Sequence, residues 1–145
     1  MTKKFRRFFL MLLIAFSFGT AAASAQSYDE ACKKGDEALA KKDYNGAIKE
    51  FSNAISLDGE KPQAYLGSSI AKYNLGKYEE AMTDVNLAIT YDESFAEAYN
   101  LSGLIREKIG QLEDAKTDYE KALILKPDFN DAKLNLENLN KKISK

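Results

Sequence analysis

The sequence predicts an all-α chain in which one helical hairpin is repeated three times and closed by a seventh helix. Three observations carry this. One spacing, from Tyr28 to Pro62 and again from Pro62 to Ala96, persists without a gap to Phe129, and it is the length of a helix-turn-helix repeat. Alanines recur in phase with it, and Gly76, Gly110, Pro62 and Pro127 fall where helices should begin or end.

Ahead of the first repeat, Thr2-Lys-Lys-Phe-Arg-Arg7 is basic, an apolar run follows from Phe8 to Phe16, and small residues end in Ala23-Ser-Ala25. This is a signal-peptide layout over 1–25, with cleavage expected after Ala25. The apolar run is nearer a dozen residues than the 20 that a spanning helix needs. An uncleaved signal anchor is the competing reading. Cleavage leaves 120 residues, enough for one domain with its own core.

The repeats start at Tyr28, Pro62 and Ala96 and cover 28–61, 62–95 and 96–129. Their first helices carry Tyr65 and Tyr99 near the start, and Gly35 and Gly103 where a small residue relieves crowding against a neighbouring helix; Ser69 departs in repeat two. The turns carry Gly76 and Gly110, able to take positive φ after a helix end, with Lys42 instead in repeat one. The second helices carry Ala47, Ala81 and Ala115 at one place and Ala54, Ala88 and Ala122 at another, with Phe51, Val85 and Tyr119 between. These places are spaced i, i+4, i+7, so small, large and small residues share one face that packs closely. Ile55, Ile89 and Leu123 widen that stripe, and Leu57, Tyr91 and Leu125 are expected to close its end. Acidic pairs at Glu79/Glu80 and Glu113/Asp114 suit the N-termini of the second helices.

These residues resemble the tetratricopeptide repeat, whose pattern runs Trp-x2-Leu-Gly-x2-Tyr followed by Ala, Phe, Ala and Pro at set offsets. Repeat three is similar at Tyr99, Gly103, Gly110, Ala115, Tyr119, Ala122 and Pro127; repeat one is eroded, with Ala31 in the first aromatic place and Gly59 for proline. The tail from Asp131 to Ile143 is similar to the family's capping helix, over 130–143, with Leu134, Leu136, Leu139 and Ile143 expected to cover the last repeat. The resemblance implies a right-handed superhelix whose concave side is lined by the first helix of each pair. It places Asp29, Cys32, Lys33, Asp36 and Leu39, then Gln63, Leu66, Ile70, Tyr73 and Asn74, then Glu97, Asn100, Leu104, Glu107 and Lys108 on that side.

Leu66, Ile70 and Tyr73 share one helix face, and Leu104 repeats the place of Ile70. Together with Asn74, Asn100 and Glu107 they form the expected partner-binding groove; the alternative is that the apolar members only fill contacts between repeats. Asn74 and Asn100 carry amides suited to a bound backbone. Some members of the family clamp the carboxylate end of cytosolic heat-shock chaperones with lysine, asparagine and arginine. The corresponding places here hold Cys32, Asp36, Gly67, Glu97 and Leu101, an acidic and apolar set that repels a carboxylate.

Composition narrows the chemistry. The mature chain has 17 basic and 22 acidic residues, which argues against a nucleic-acid partner or stable membrane insertion. There is no histidine, so His-based acid–base catalysis, His-dependent triads and His-ligated metals are unavailable. No cofactor, catalytic residue or metal site is expected. Cys32 is the only cysteine, which rules out an intramolecular disulfide; it is read as a small helix side chain, with pairing between chains the alternative. The expected function is a monomeric, non-enzymatic scaffold, periplasmic or secreted, that binds a protein or peptide in its groove. The competing reading is a subunit or assembly factor of an envelope complex that docks through convex or end surfaces.

Overall fold

In the computed structural model, which describes residues 27–144, α1 runs through 27–40 and is followed by α2 (Tyr44–Leu57), α3 (Pro62–Asn74), α4 (Tyr78–Tyr91), α5 (Ala96–Lys108), α6 (Leu112–Leu125) and α7 (Asn130–Ile143). No strand occurs among the described residues. The predicted signal peptide lies outside them.

One backbone turn closes all three hairpins. The N–H groups of Asp43, Lys77 and Gln111 each donate to the carbonyl five residues back, Ala38, Lys72 and Arg106, at 2.9 Å. The residue before each takes a left-handed conformation: Lys42 at φ 60°, Gly76 at 76° and Gly110 at 84°. This hydrogen bond absorbs a carbonyl that the helix end leaves unpaired. The lysine is held in a conformation that costs a side-chain-bearing residue about 1–2 kcal/mol. Asp43 partly offsets this by capping α2, accepting from the Gly46 N–H at 2.9 Å.

Two of the three hairpins are held by a ring seated on glycine. Phe51 of α2 lies between α1 and α3, and a Cβ on Gly35 would stand 2.7 Å from its ring; Gly67, on the other side, leaves still less room. Tyr119 of α6 lies on Gly103 in the same way, at 2.5 Å. Repeat two has the smaller Val85, and there α3 carries Ser69, whose hydroxyl donates to the Ala81 carbonyl at 2.7 Å. The serine that breaks the glycine pattern is thus matched to a smaller partner. All six in-phase alanines are fully buried, which lets the paired helices approach closely.

The stripe ends differently from expectation. Leu57 and Tyr91 do not close it; they are 39% and 43% exposed, while Leu125 is half-buried. The last helix is corrected too: Leu139 is fully buried and Leu136 half-buried, but Leu134 and Ile143 are 56% and 39% exposed. The repeat register explains this. Ala132, Ala98 and Ala64 are in phase and all fully buried, so α7 sits as the first helix of a further hairpin. Its face toward a would-be second helix carries Lys133, Glu137 and Asn140, all exposed, with Glu137 at the place of Gly103. That polar face meets water.

Candidate partner-binding groove

The curvature follows from which helices meet. α3 approaches α5 and α5 approaches α7, whereas no two of α2, α4 and α6 approach one another. A double row whose first members converge and second members splay is concave on the first row. Leu66, Ile70 and Tyr73 of α3 and Leu104 of α5 therefore belong to the inner layer, and all four are half-buried. They pack on the core formed by Ala81, Val85, Ala88, Ala98, Leu101 and Ile105, so each serves the joint between repeats two and three while keeping part of its surface free. Tyr73 leans on Tyr78, ring centroids 5.7 Å apart, and burial raises its phenol pKa above the ordinary value.

The polar members are more committed. Asn74 is exposed, and its Nδ2 donates to the Ile70 carbonyl of its own helix at 2.8 Å. Asn100 is 9% exposed, and its Oδ1 accepts from Asn135 Nδ2 of α7 at 2.9 Å. Glu107 accepts from the Tyr119 hydroxyl at 2.7 Å and lies 3.8 Å from Lys142. Asn100 and Glu107 thus fasten α5 to its neighbours. The exposed Leu134 of α7 holds the register place of Leu66 and extends the inner apolar surface by one helix. The sequence carried that signal, since Leu134 lies two full repeat lengths beyond Leu66.

At the N-terminal end of the groove a cleft of ≈ 500 Å³ is lined by Tyr28, Asp29, Cys32, Lys33, Asp36, Lys61 and Gln63. The Tyr28 hydroxyl accepts from the Ala64 N–H at 3.3 Å, near the start of α3, and the Lys61 ammonium stands 4.2 Å above the Tyr28 ring. The Cys32 thiol is half-buried, and its pKa is pushed up by burial, with Asp36 and Asp29 adding to the shift. A raised pKa lowers the share of thiolate, the form that attacks. Burial also raises the Asp36 carboxyl.

The places of the carboxylate clamp are closed to that chemistry. Gly67 has no room for a side chain against Phe51, Leu101 is buried in the core, and Glu97 pairs with Lys126 at 2.8 Å.

Two polar networks went unread in the sequence. In repeat two Asp84 Oδ2 accepts from the Ser68 hydroxyl and the Lys72 ammonium, both at 2.6 Å. In repeat three Asp118 Oδ2 accepts from the Ser102 hydroxyl at 2.6 Å and lies 3.1 Å from Arg106 Nε. That N–H is angled off the oxygen, so the contact is an ion pair without a hydrogen bond. The signal was present: the serines, the basic residues and the aspartates each stand one repeat length apart. Among the described residues no group of three or more Cys, Asp or Glu could hold a metal, and no helix is long and apolar enough to cross a membrane.

These features define a stack of helical hairpins that offers a concave, half-apolar face. Tetratricopeptide-repeat family models match residues 32–98 and 96–129, and the chain belongs to that family. The first such domain of Spaghetti (RPAP3), bound to the HSP90 peptide SRMEEVD, is 28% identical with a TM-score of 0.78, over 83% of this chain and 95% of that one. The Arabidopsis OM64 domain is 27% identical at 0.79, over 82% and 98%. The second domain of human RPAP3, in complex with the HSP70 peptide SGPTIEEVD, is 28% identical at 0.73, over 82% and 97%. The STIP1 homologue of Dictyostelium discoideum is 39% identical over 61 residues, 42% of this chain; the match spans about a tenth of the relative's length, 11%.

Proposed function

We propose that the chain is a non-enzymatic scaffold of the cell envelope, periplasmic or secreted, which holds an extended segment or helix of a partner protein against Leu66, Ile70, Tyr73, Leu104 and Leu134. The observation that carries this is the convergence of α3, α5 and α7, which gathers these side chains on one inner face with part of their surface free. Solved relatives bound to HSP90 and HSP70 peptides support protein binding by such a domain. The ligand here is of another kind, because Glu97, Leu101 and the absence of a side chain at Gly67 supply no carboxylate-gripping group at the places where the family's clamp holds one. The envelope setting rests on the basic, apolar and Ala-Ser-Ala layout of residues 1–25.

A second reading is docking through the outer row, favoured by Ile124 of α6, 73% exposed on a helix whose neighbours on that face are polar. A photo-crosslinking aromatic amino acid placed at Tyr73 or at Ile124 separates the two in envelope fractions. Adducts from position 73 that vanish on adding Leu104→Ala, with helical circular dichroism unchanged, support the groove. Adducts from position 124 alone overturn it.

A further inference from the structure

Among the described residues, repeat one lacks a ring at a place where repeats two and three each carry one. In repeat two the fourth residue of the first helix is Tyr65, which stacks on Tyr91 with centroids 5.5 Å apart and planes 21° from parallel. Its hydroxyl donates to the Gly59 carbonyl at 3.0 Å. In repeat three the same place is Tyr99, with the Lys121 ammonium 5.8 Å from its ring. In repeat one it is Ala31, and the place of Tyr91 is Leu57. Between α1 and α2 a cleft of ≈ 300 Å³ opens, lined by Ser27, Glu30, Ala31, Lys34, Asn53 and Leu57. Leu57, 39% exposed, supplies the open apolar wall, and Ala31, 3% exposed, lies at the buried floor. Glu30 and Lys34 form the rim and are tied together at 3.0 Å.

We propose that this slot takes an aromatic side chain, tyrosine or phenylalanine, presented by a partner protein and laid on Leu57 as Tyr65 is laid on Tyr91. The occupant's chemistry is set within the molecule, since the next two hairpins put a tyrosine in the corresponding place on the same helix pair. The exposed Leu57 supplies the driving force, because covering it with a ring removes apolar surface from water. Asn53 and Glu30 at the edge offer acceptors to a tyrosine hydroxyl. The slot lies between α1 and α2, whereas the groove is built on the inner faces of α3, α5 and α7, so its fate is separate from that of the groove reading.

The test is a titration of the full chain with p-cresol, the tyrosine side chain as a free molecule, followed through the Ala31 and Leu57 methyl resonances. Saturable shifts at both are expected, with the pentapeptide Gly-Gly-Tyr-Gly-Gly-amide competing and Gly-Gly-Ala-Gly-Gly-amide not. Ala31→Tyr should abolish the shifts at Leu57 and melt several degrees higher, its own ring filling the slot. Leu57→Asn, at an exposed position that leaves the fold intact, should lose the response of Ala31. Absence of shifts in the wild type, or unchanged shifts in Ala31→Tyr, overturns the proposal. Failure of the tyrosine peptide to compete overturns the protein partner and confines the slot to free phenols.

Discussion

Repeats one and three share a backbone but not the same means of holding it. Repeat three has Tyr99, the Ser102–Arg106–Asp118 network and Gly110 at its turn. In phase with these, repeat one has Ala31, the set Lys34, Ala38 and Glu50, and Lys42 at φ 60°. What both keep is the ring on glycine, Phe51 on Gly35 and Tyr119 on Gly103, flanked by fully buried alanines. The close-packed ring is therefore the element that holds the hairpins of repeats one and three, and the polar network and turn glycine adjust their stability.

Breaking the shared element gives the largest effect. Phe51→Ala, at a side chain 1% exposed between two glycines, is expected to destabilise by about 3–5 kcal/mol in urea unfolding. Asp84→Ala removes only what repeat two has and repeat one lacks. It strands the Ser68 hydroxyl and the Lys72 ammonium for about 2 kcal/mol, and a loss equal to that of Phe51→Ala would show that the network, not the ring, sets the hairpin.

Asp118 adds a pH signature. Burial raises its pKa, against the opposing pull of Ser102 and Arg106. The folded state then holds this proton more tightly than the unfolded chain, so its favourable contribution is complete below the ordinary aspartate pKa and is lost as pH rises through the raised folded value. Stability of the wild type relative to Asp118→Asn should therefore fall as pH is raised from about 3 to about 6, and denaturation curves across that range check the sign.

The smallest change sharpens the comparison in the other direction. Lys42→Gly gives repeat one the turn residue of its neighbours and should stabilise by about 0.5–1 kcal/mol, since relief of the left-handed backbone exceeds the added freedom of the unfolded chain. A shift of the thermal midpoint upward checks it.

Most of the fold was legible because the repeat register restates the packing face directly: six alanines in phase fixed which helices pair. The groove was less legible. Helical spacing put Leu66, Ile70 and Tyr73 on one face, but not how much of that face the next hairpin covers. Asn100 reads as a free amide in sequence and is tied to Asn135 in the following helix pair's place. Leu134 reads as cap core and is exposed, because α7 follows the repeat register rather than covering the end as a simple amphipathic helix.

By itself the sequence determined the helices, their pairing and the turn positions, since each depends on residues within one hairpin and recurs once in every repeat. Only the tertiary structure decided what the register cannot state: which side is concave, which polar groups are already paired, and that the missing tyrosine of repeat one leaves a cleft. These depend on how one hairpin is inclined to the next, a property of side chains meeting between repeats.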